Sequence, residues 1–144
     1  MKLKEVMTPD VEMVSPSATL KEAAMKMKEQ DVGLLPVCDD EQLCGMLTDR
    51  DITVRSTAAG QDPNTTPVEG VMTQELVYAF EDQDEENAAK LMEENQIRRL
   101  IIINRDKRLV GIFSLGDLAT RARRDQLSGE ALEKVSQPAQ SKST

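Results

Sequence analysis

The sequence predicts an α/β fold made of two pseudo-symmetric β-α-β-β-α copies, and three observations carry that prediction. The chain repeats itself at a nearly constant offset. The apolar pattern inside each copy alternates between helical and strand periods. The 144 residues, 39% apolar and 31% charged, suit one compact unit with a proper core. The repeat is direct: Val6-Met7-Thr8 returns as Val71-Met72-Thr73, Ala23-Ala24 as Ala88-Ala89, Met27 as Met92, Glu29 as Glu94 and Leu35 as Leu100, all at an offset of 65. One extra residue in the second hairpin raises the offset to 66, at which Leu43, Gly45, Asp51 and Arg55 return as Leu109, Gly111, Asp117 and Arg121.

Each copy reads in the order short strand, helix, strand, tight turn, strand, helix. In the first helix Leu20, Ala23, Ala24 and Met27 fall at i, i+3, i+4 and i+7 and form one apolar stripe, and Thr19 with Glu22 forms a capping box at its start. The second copy keeps Ala88, Leu91 and Met92, with Asp84 at the N-cap. The apolar runs Val32 to Cys38 and Leu100 to Ile103 read as buried strands; each is followed by a polar turn and a return strand, Leu43 to Leu47 and Leu109 to Phe113. Between the copies, Ala58 to Pro67 is rich in turn formers and reads as a short ordered crossover that ends the first copy's last helix. The copies place one domain at 1–62 and a second at 63–124. The tail over 125–144 contains Ser128-Gly129 and then runs Ser136 to Thr144 without apolar periodicity, so it is expected to be disordered.

Composition narrows the function classes. Only three aromatics, Tyr78, Phe80 and Phe113, leave the core to aliphatics and eight Met. The start, Met1-Lys2-Leu3-Lys4-Glu5, lacks the apolar stretch of a secretory signal, and no run approaches the roughly 20 apolar residues of a membrane span, so a cytoplasmic protein is expected. Cys38 and Cys44 flank a turn, which leaves a cross-hairpin disulfide open, although a reducing cytoplasm favours two free, mostly buried thiols. A net charge of −8 argues against general nucleic-acid binding. The charge is uneven, net −6 over residues 81–94 and net +6 over 95–124; most of these charges read as solvated faces, but Arg98 and Arg99 interrupt a strand that is otherwise Ile and Leu. The chain has no His, which removes the commonest general base and transition-metal ligand, and two cysteines alone close no four-ligand thiolate site. No metal site and no catalysis are expected.

The pattern that stands out is a strand-to-helix junction written twice, Gly45-Met46-Leu47-Thr48-Asp49-Arg50-Asp51-Ile52 and Gly111-Ile112-Phe113-Ser114-Leu115-Gly116-Asp117-Leu118. In each, a hydroxyl residue ends the strand and an Asp follows three positions later, in the first helical turn. Such a junction suits a nucleotide: helix-start N–H groups and the hydroxyl can hold phosphate oxygens, while the carboxylate accepts hydrogen bonds from ribose hydroxyls. The same spacing also describes a plain capping box, in which the acid reaches back to the N-cap N–H. Duplication in register, each time after Gly and an apolar strand, shifts the balance toward the nucleotide.

The pattern Gly, apolar, any residue, Thr or Ser, two residues, Asp, apolar resembles the signature of CBS domains. The resemblance covers residues 3 to about 124 in two tandem copies, each headed by Val-Met-Thr. Gly45 to Ile52, with Ala58-Ala59-Gly60 and Asp62-Pro63-Asn64-Thr65 beyond, is similar to stand-alone CBS pairs of the bacterial hypoxic response protein type. The resemblance implies a Bateman module, in which two β-α-β-β-α repeats pack through their sheets and leave two clefts, and which commonly forms a homodimer. It implies an adenine nucleotide as ligand, AMP, ADP or ATP, and less often NAD or S-adenosylmethionine, with regulation of a separate partner protein in trans. The alternative is a structural dimerisation module whose clefts stay empty.

Carried over from the resemblance, one cleft would combine Ser114 and Asp117 with Thr8, Val11, Val32 and Leu34 around the base. The other would combine Thr48 and Asp51 with Thr73, Leu76 and Ile97. The apolar members would be core residues in any fold of this pattern, so the hydroxyls, the aspartates and the Arg98–Arg99 pair discriminate. Arg99 occupies the place that corresponds to Leu34. Asp49, partly offset by Arg50, lies beside the first phosphate position, whereas Gly116 opens the second, so the Ser114/Asp117 cleft is expected to be the tighter. Arg98 and Arg99 are expected to read phosphate.

Overall fold

The computed structural model describes residues 1–121 and 125–137. In chain order its elements are α1 (Leu3–Val6), β1 (Thr8–Pro9), α2 (Leu20–Gln30), β2 (Leu34–Asp39), β3 (Gln42–Thr48), α3 (Asp49–Asp51, continued by a wider π-type helix over Ile52–Thr57), β4 (Tyr78–Phe80), α4 (Glu85–Asn95), β5 (Arg99–Ile103), β6 (Leu109–Ser114), α5 (Leu115–Thr120) and α6 (Asp125–Ser136). Both copies show the expected order, with the first copy's short strand reduced to a single parallel bridge between Val14 and Val37.

The chain divides into two compact units that do not follow the repeat boundary. One takes in Met1–Val11, Val77–Asp106 and the described residues from Val110 onward; the other takes in Glu12–Leu76 with Lys107–Leu109. The head of the first copy therefore lies in a unit with the body of the second copy, and the head of the second copy with the body of the first.

In the unit around Glu12–Leu76, α2 starts where the sequence places its capping box: the Glu22 N–H donates to Thr19 Oγ1 at 3.2 Å and the Thr19 N–H to Glu22 Oε2 at 3.3 Å. The crossover completes this cap, since the Leu20 N–H donates to the Thr66 carbonyl and the Lys21 N–H to the Pro63 carbonyl. The hairpin β2–β3 turns on Asp40 and Glu41, both at positive φ, 49° and 68°. A two-residue turn with both φ positive matches the right-handed twist of the strands. Leu20, Ala23, Met27, Leu35, Val37, Leu47, Val68 and Val71 form the core with Val14. Both thiols are free; burial pushes Cys38 up to about 12 and raises Cys44, whose Sγ donates to the Val37 carbonyl at 3.3 Å.

In the other unit a four-stranded sheet runs β1-β6-β5-β4, with β1 antiparallel to β6 (Thr8 opposite Ile112, Pro9 opposite Gly111) and β4 parallel to β5. Helix α4 is capped by Asp84, whose Oδ1 accepts from the Asn87 N–H at 2.9 Å. Two expectations need correction here. The stretch from 125, expected to be disordered, forms α6, which packs on α4 and α5 and seats the fully buried Ala131 in one cluster with Ala88, Ala89, Met92, Phe113 and Leu118. Ala131 and Val135 stand four apart on that helix, and the interior Gly129, a weak helix former, masked the pattern. Residues 138–144 of the expected tail lie outside the described residues. Ala24, counted in the apolar stripe of α2, is exposed, whereas its counterpart Ala89 is buried. The difference is α6, which joins the cluster around Ala89. Among the described residues no helix is long and apolar enough to cross a membrane.

Candidate functional site

The two strand-to-helix junctions fold alike. Ser114 ends β6 in extended conformation and caps α5: the Asp117 N–H donates to Ser114 Oγ and the Ser114 N–H to Asp117 Oδ2, each at 3.0 Å. Thr48 ends β3 and caps α3 through the same pair of contacts with Asp51, again at 3.0 Å. The capping boxes are thus present in both copies. They do not exhaust the groups involved, because each hydroxyl keeps its proton for donation and each carboxylate keeps further lone pairs. The side chains of Asp51 and Asp117 are 14% and 12% exposed, so the carboxylates are reachable yet fixed.

The start of each helix is only partly open to an anion. The first N–H is taken in both copies, Leu115 donating to the Arg98 carbonyl at 3.1 Å and Asp49 to the Gly33 carbonyl at 3.0 Å. At the next position the copies differ. The Arg50 N–H donates to Asp49 Oδ1 at 2.8 Å, so a carboxylate covers it, whereas Gly116 is exposed and carries no side chain.

Each junction meets the Val-Met-Thr head of the other copy. Thr8 pairs with Ile112. The equivalent bridge joins Met46 and Thr73 through N–H···O bonds of 3.0 and 2.8 Å. The signature glycines are required by this approach: a Cβ on Gly111 would stand 2.6 Å from Met7 Sδ and 2.8 Å from the Thr8 carbonyl oxygen, and one on Gly45 would stand 2.6 Å from Met72 Sδ and 3.2 Å from the Thr73 carbonyl oxygen. In one respect the heads differ. The Thr73 hydroxyl lies 3.4 and 3.3 Å from the two oxygens of Asp51, whereas no such contact joins Thr8, which is exposed, to Asp117 among the described residues.

Two residues that sequence reasoning recorded only as repeats complete the arrangement. Arg121 places Nε 3.4 Å from Asp117 Oδ1 and donates from Nη1 to the Met7 carbonyl at 2.8 Å. Arg55 places Nε 3.8 Å from Asp51 Oδ1 and donates from Nη1 to the Val71 and Met72 carbonyls, both at 3.4 Å. Their spacing of four from the aspartates was the available signal.

Of the remaining expected site residues, Val11, Val32, Leu34, Leu76 and Ile97 are all half-buried rather than sealed in the interior; Val32 and Ile97 pack against the cores of their own units. Thr8 and Val11 share a unit with Ser114, Gly116 and Asp117, while Val32 and Leu34 belong to the other; Thr73 and Leu76 share a unit with Thr48, Arg50 and Asp51, while Ile97 does not. Arg98 and Arg99 are both exposed. The Arg98 side chain reaches Ser136 Oγ on α6 at 3.5 Å.

A duplicated hydroxyl-capped junction, with the opposite copy's head pairing beside it, defines a class, and the comparison with known families agrees: the CBS domain family matches residues 3–56 and 68–124, and the chain belongs to it. The chain is 46% identical over 134 residues to the CBS domain-containing protein YhcV of Bacillus subtilis, covering 93% of this chain and 94% of that protein. It is 40% identical over 117 residues to hypoxic response protein 1 of Mycobacterium tuberculosis, covering 81% of each. A crystal structure of hypoxic response protein I with two coordinated zinc ions matches with a TM-score of 0.76 at 38% identity, over 86% of this chain and 98% of that one. A crystal structure of CBSX2 in complex with AMP matches with a TM-score of 0.72 at 25% identity, over 87% of this chain and 98% of that one.

Proposed function

We propose that this protein is an adenine-nucleotide-binding regulatory module of the Bateman type, taking AMP, ADP or ATP and acting in trans on a separate protein while catalysing nothing itself. The observation that carries the reading is the doubled junction, in which a mostly buried carboxylate is fixed by a backbone N–H beside a hydroxyl that still has a proton to donate. The AMP held by CBSX2 supports it from the family side. In this reading Asp117 and Asp51 accept from ribose hydroxyls, Ser114 and Thr48 donate to phosphate, and Thr8 with Val11, or Thr73 with Leu76, stand on the side of the base. Arg98 and Arg99, both exposed, stay available for phosphate. NAD and S-adenosylmethionine are the less favoured ligands. The module acts as a homodimer, for which Met25 and Val54, each 52% exposed, offer apolar surface.

The zinc ions of hypoxic response protein I are not carried over. This chain has no His, and among the described residues no three His, Cys, Asp or Glu side chains converge as a metal site would need.

A structural dimerisation module with empty clefts is the second reading, favoured by the capping boxes, which already give both carboxylates a role in the fold. Thermal shift against AMP, ADP, ATP, NAD, S-adenosylmethionine and GTP separates the two. A ligand at 100 times its Kd stabilises by about 2.7 kcal/mol and raises Tm by several degrees. A rise with adenine nucleotides is expected; flat curves with every compound favour the structural module.

A further inference from the structure

We propose that Arg121, and Arg55 in the other copy, are positioning residues that set the motif carboxylate for a ribose; the proposal rests on the nucleotide reading above. In both copies the same two nitrogens do the same two things: Nε faces Oδ1 of the Asp four residues back, and Nη1 donates to main-chain carbonyls of the Val-Met-Thr head. The capping N–H holds the other oxygen, Oδ2. Each carboxylate therefore has a hydrogen bond at one oxygen and a guanidinium ion pair at the other, 3.4 Å away at Asp117 and 3.8 Å at Asp51, and a planar guanidinium spans the gap between it and the head in a way that an ammonium point charge does not.

Stability alone does not account for these arginines. Their side chains are 54% and 48% exposed, and exposed ion pairs contribute little to folding because water and salt screen them. Yet the pair of contacts, Nε to Oδ1 of the aspartate and Nη1 to the Met carbonyl of the head, recurs in both copies. What both copies share is a carboxylate with an orientation to keep. A ribose presents two adjacent hydroxyls, and a carboxylate accepts both only if its plane is held; a freely turning one loses the second hydrogen bond part of the time.

The test compares AMP with 2′-deoxy-AMP and 3′-deoxy-AMP by calorimetry on the full chain, its R121Q and R121K variants, and D117N as the reference for a lost carboxylate. Wild-type protein is expected to prefer AMP over either deoxy form by about tenfold or more, as hydrogen bonds to a charged group allow. R121Q should bring that ratio down toward the D117N value while moving the affinity for the deoxy nucleotides little. If R121Q does not fold, R121K serves, since it keeps the charge beside Asp117 but cannot span to the Met7 carbonyl; it too should lose the ratio. An arginine that merely braces the fold would lower the affinities for AMP and for the deoxy forms equally and leave the ratio intact, and that result overturns the proposal. Wild-type protein that binds all three nucleotides alike overturns it as well, by removing the ribose contact. Wild-type protein that binds none of them fails the nucleotide reading itself, a distinct outcome visible before any variant is made.

Discussion

A carboxylate offers about four lone-pair positions, and the two motif aspartates use them differently. Asp117 accepts from the Ser114 N–H, with Arg121 beside it as an ion pair, and keeps lone pairs for both hydroxyls of a ribose. Asp51 accepts from the Thr48 N–H and from the Thr73 hydroxyl, which lies near both of its oxygens, while Arg55 stands off at 3.8 Å as an ion pair, so a ribose there competes with Thr73. Together with Asp49 covering the Arg50 N–H, this makes the Asp117 site the tighter one in the nucleotide reading. Thr73→Val keeps the shape and removes the competing hydroxyl, which is worth about 0.5–1.5 kcal/mol. Calorimetry with AMP should then show the weaker of two binding events tightening several-fold, or a second event emerging where wild-type protein shows one. An unchanged isotherm would mean that Thr73 does not compete. The Ser/Thr-x-x-Asp contacts were legible in the sequence because they join residues three apart. The arginines' spacing of four from the aspartates was also visible, but their contact with the head was not, since Arg121 reaches a carbonyl 114 residues away, and only folding makes that pair neighbours.

At the scale of elements, the signature Gly is explained by a close approach of strands rather than by a ligand. The head of the opposite copy lies against it, with the Met side chain directly over the missing Cβ. The two glycines should not respond alike. At Gly45 the nearest obstacle is the flexible Met72 side chain and the backbone oxygen stands off at 3.2 Å, whereas at Gly111 the Thr8 carbonyl is only 2.8 Å away and must itself shift. Gly111→Ala is therefore expected to destabilise by about 1–3 kcal/mol, as overpacking does, and Gly45→Ala by less, measured by chemical denaturation of each variant. Equal costs would show that the Met side chains, and not the backbone, set the limit. Elements with strong local signals, such as α2 with its capping box and the paired hairpins, could be read from the sequence. Helix α6 could not, because its interior Gly lowers helix propensity and its use depends on the flank of α4 that it covers.

At the scale of the whole molecule, the repeat as written and the unit as folded are different objects. Residues 1–62 contain most of one core yet lack Val68 and Val71, which are 0% and 2% exposed in it, the Thr73 edge pairing, and the Thr66 and Pro63 carbonyls that cap α2. Residues 63–144 lack Leu3, Val6 and Met7, which are 0%, 1% and 9% exposed in the other core. Losing a buried side chain of this size costs about 2–5 kcal/mol, so two or three such losses rival the roughly 5–15 kcal/mol by which a domain is stable. The exchange of heads, invisible to a reading of periodicity within each copy, thus makes each half depend on the other. Expressed separately, 1–62 and 63–144 are each expected to show no cooperative melt by circular dichroism, and mixing them should restore a single sharp transition together with co-elution on size exclusion. A cooperative melt from either half alone would show that a copy carries enough of a core without the other's head, and the interdependence would have to be given up.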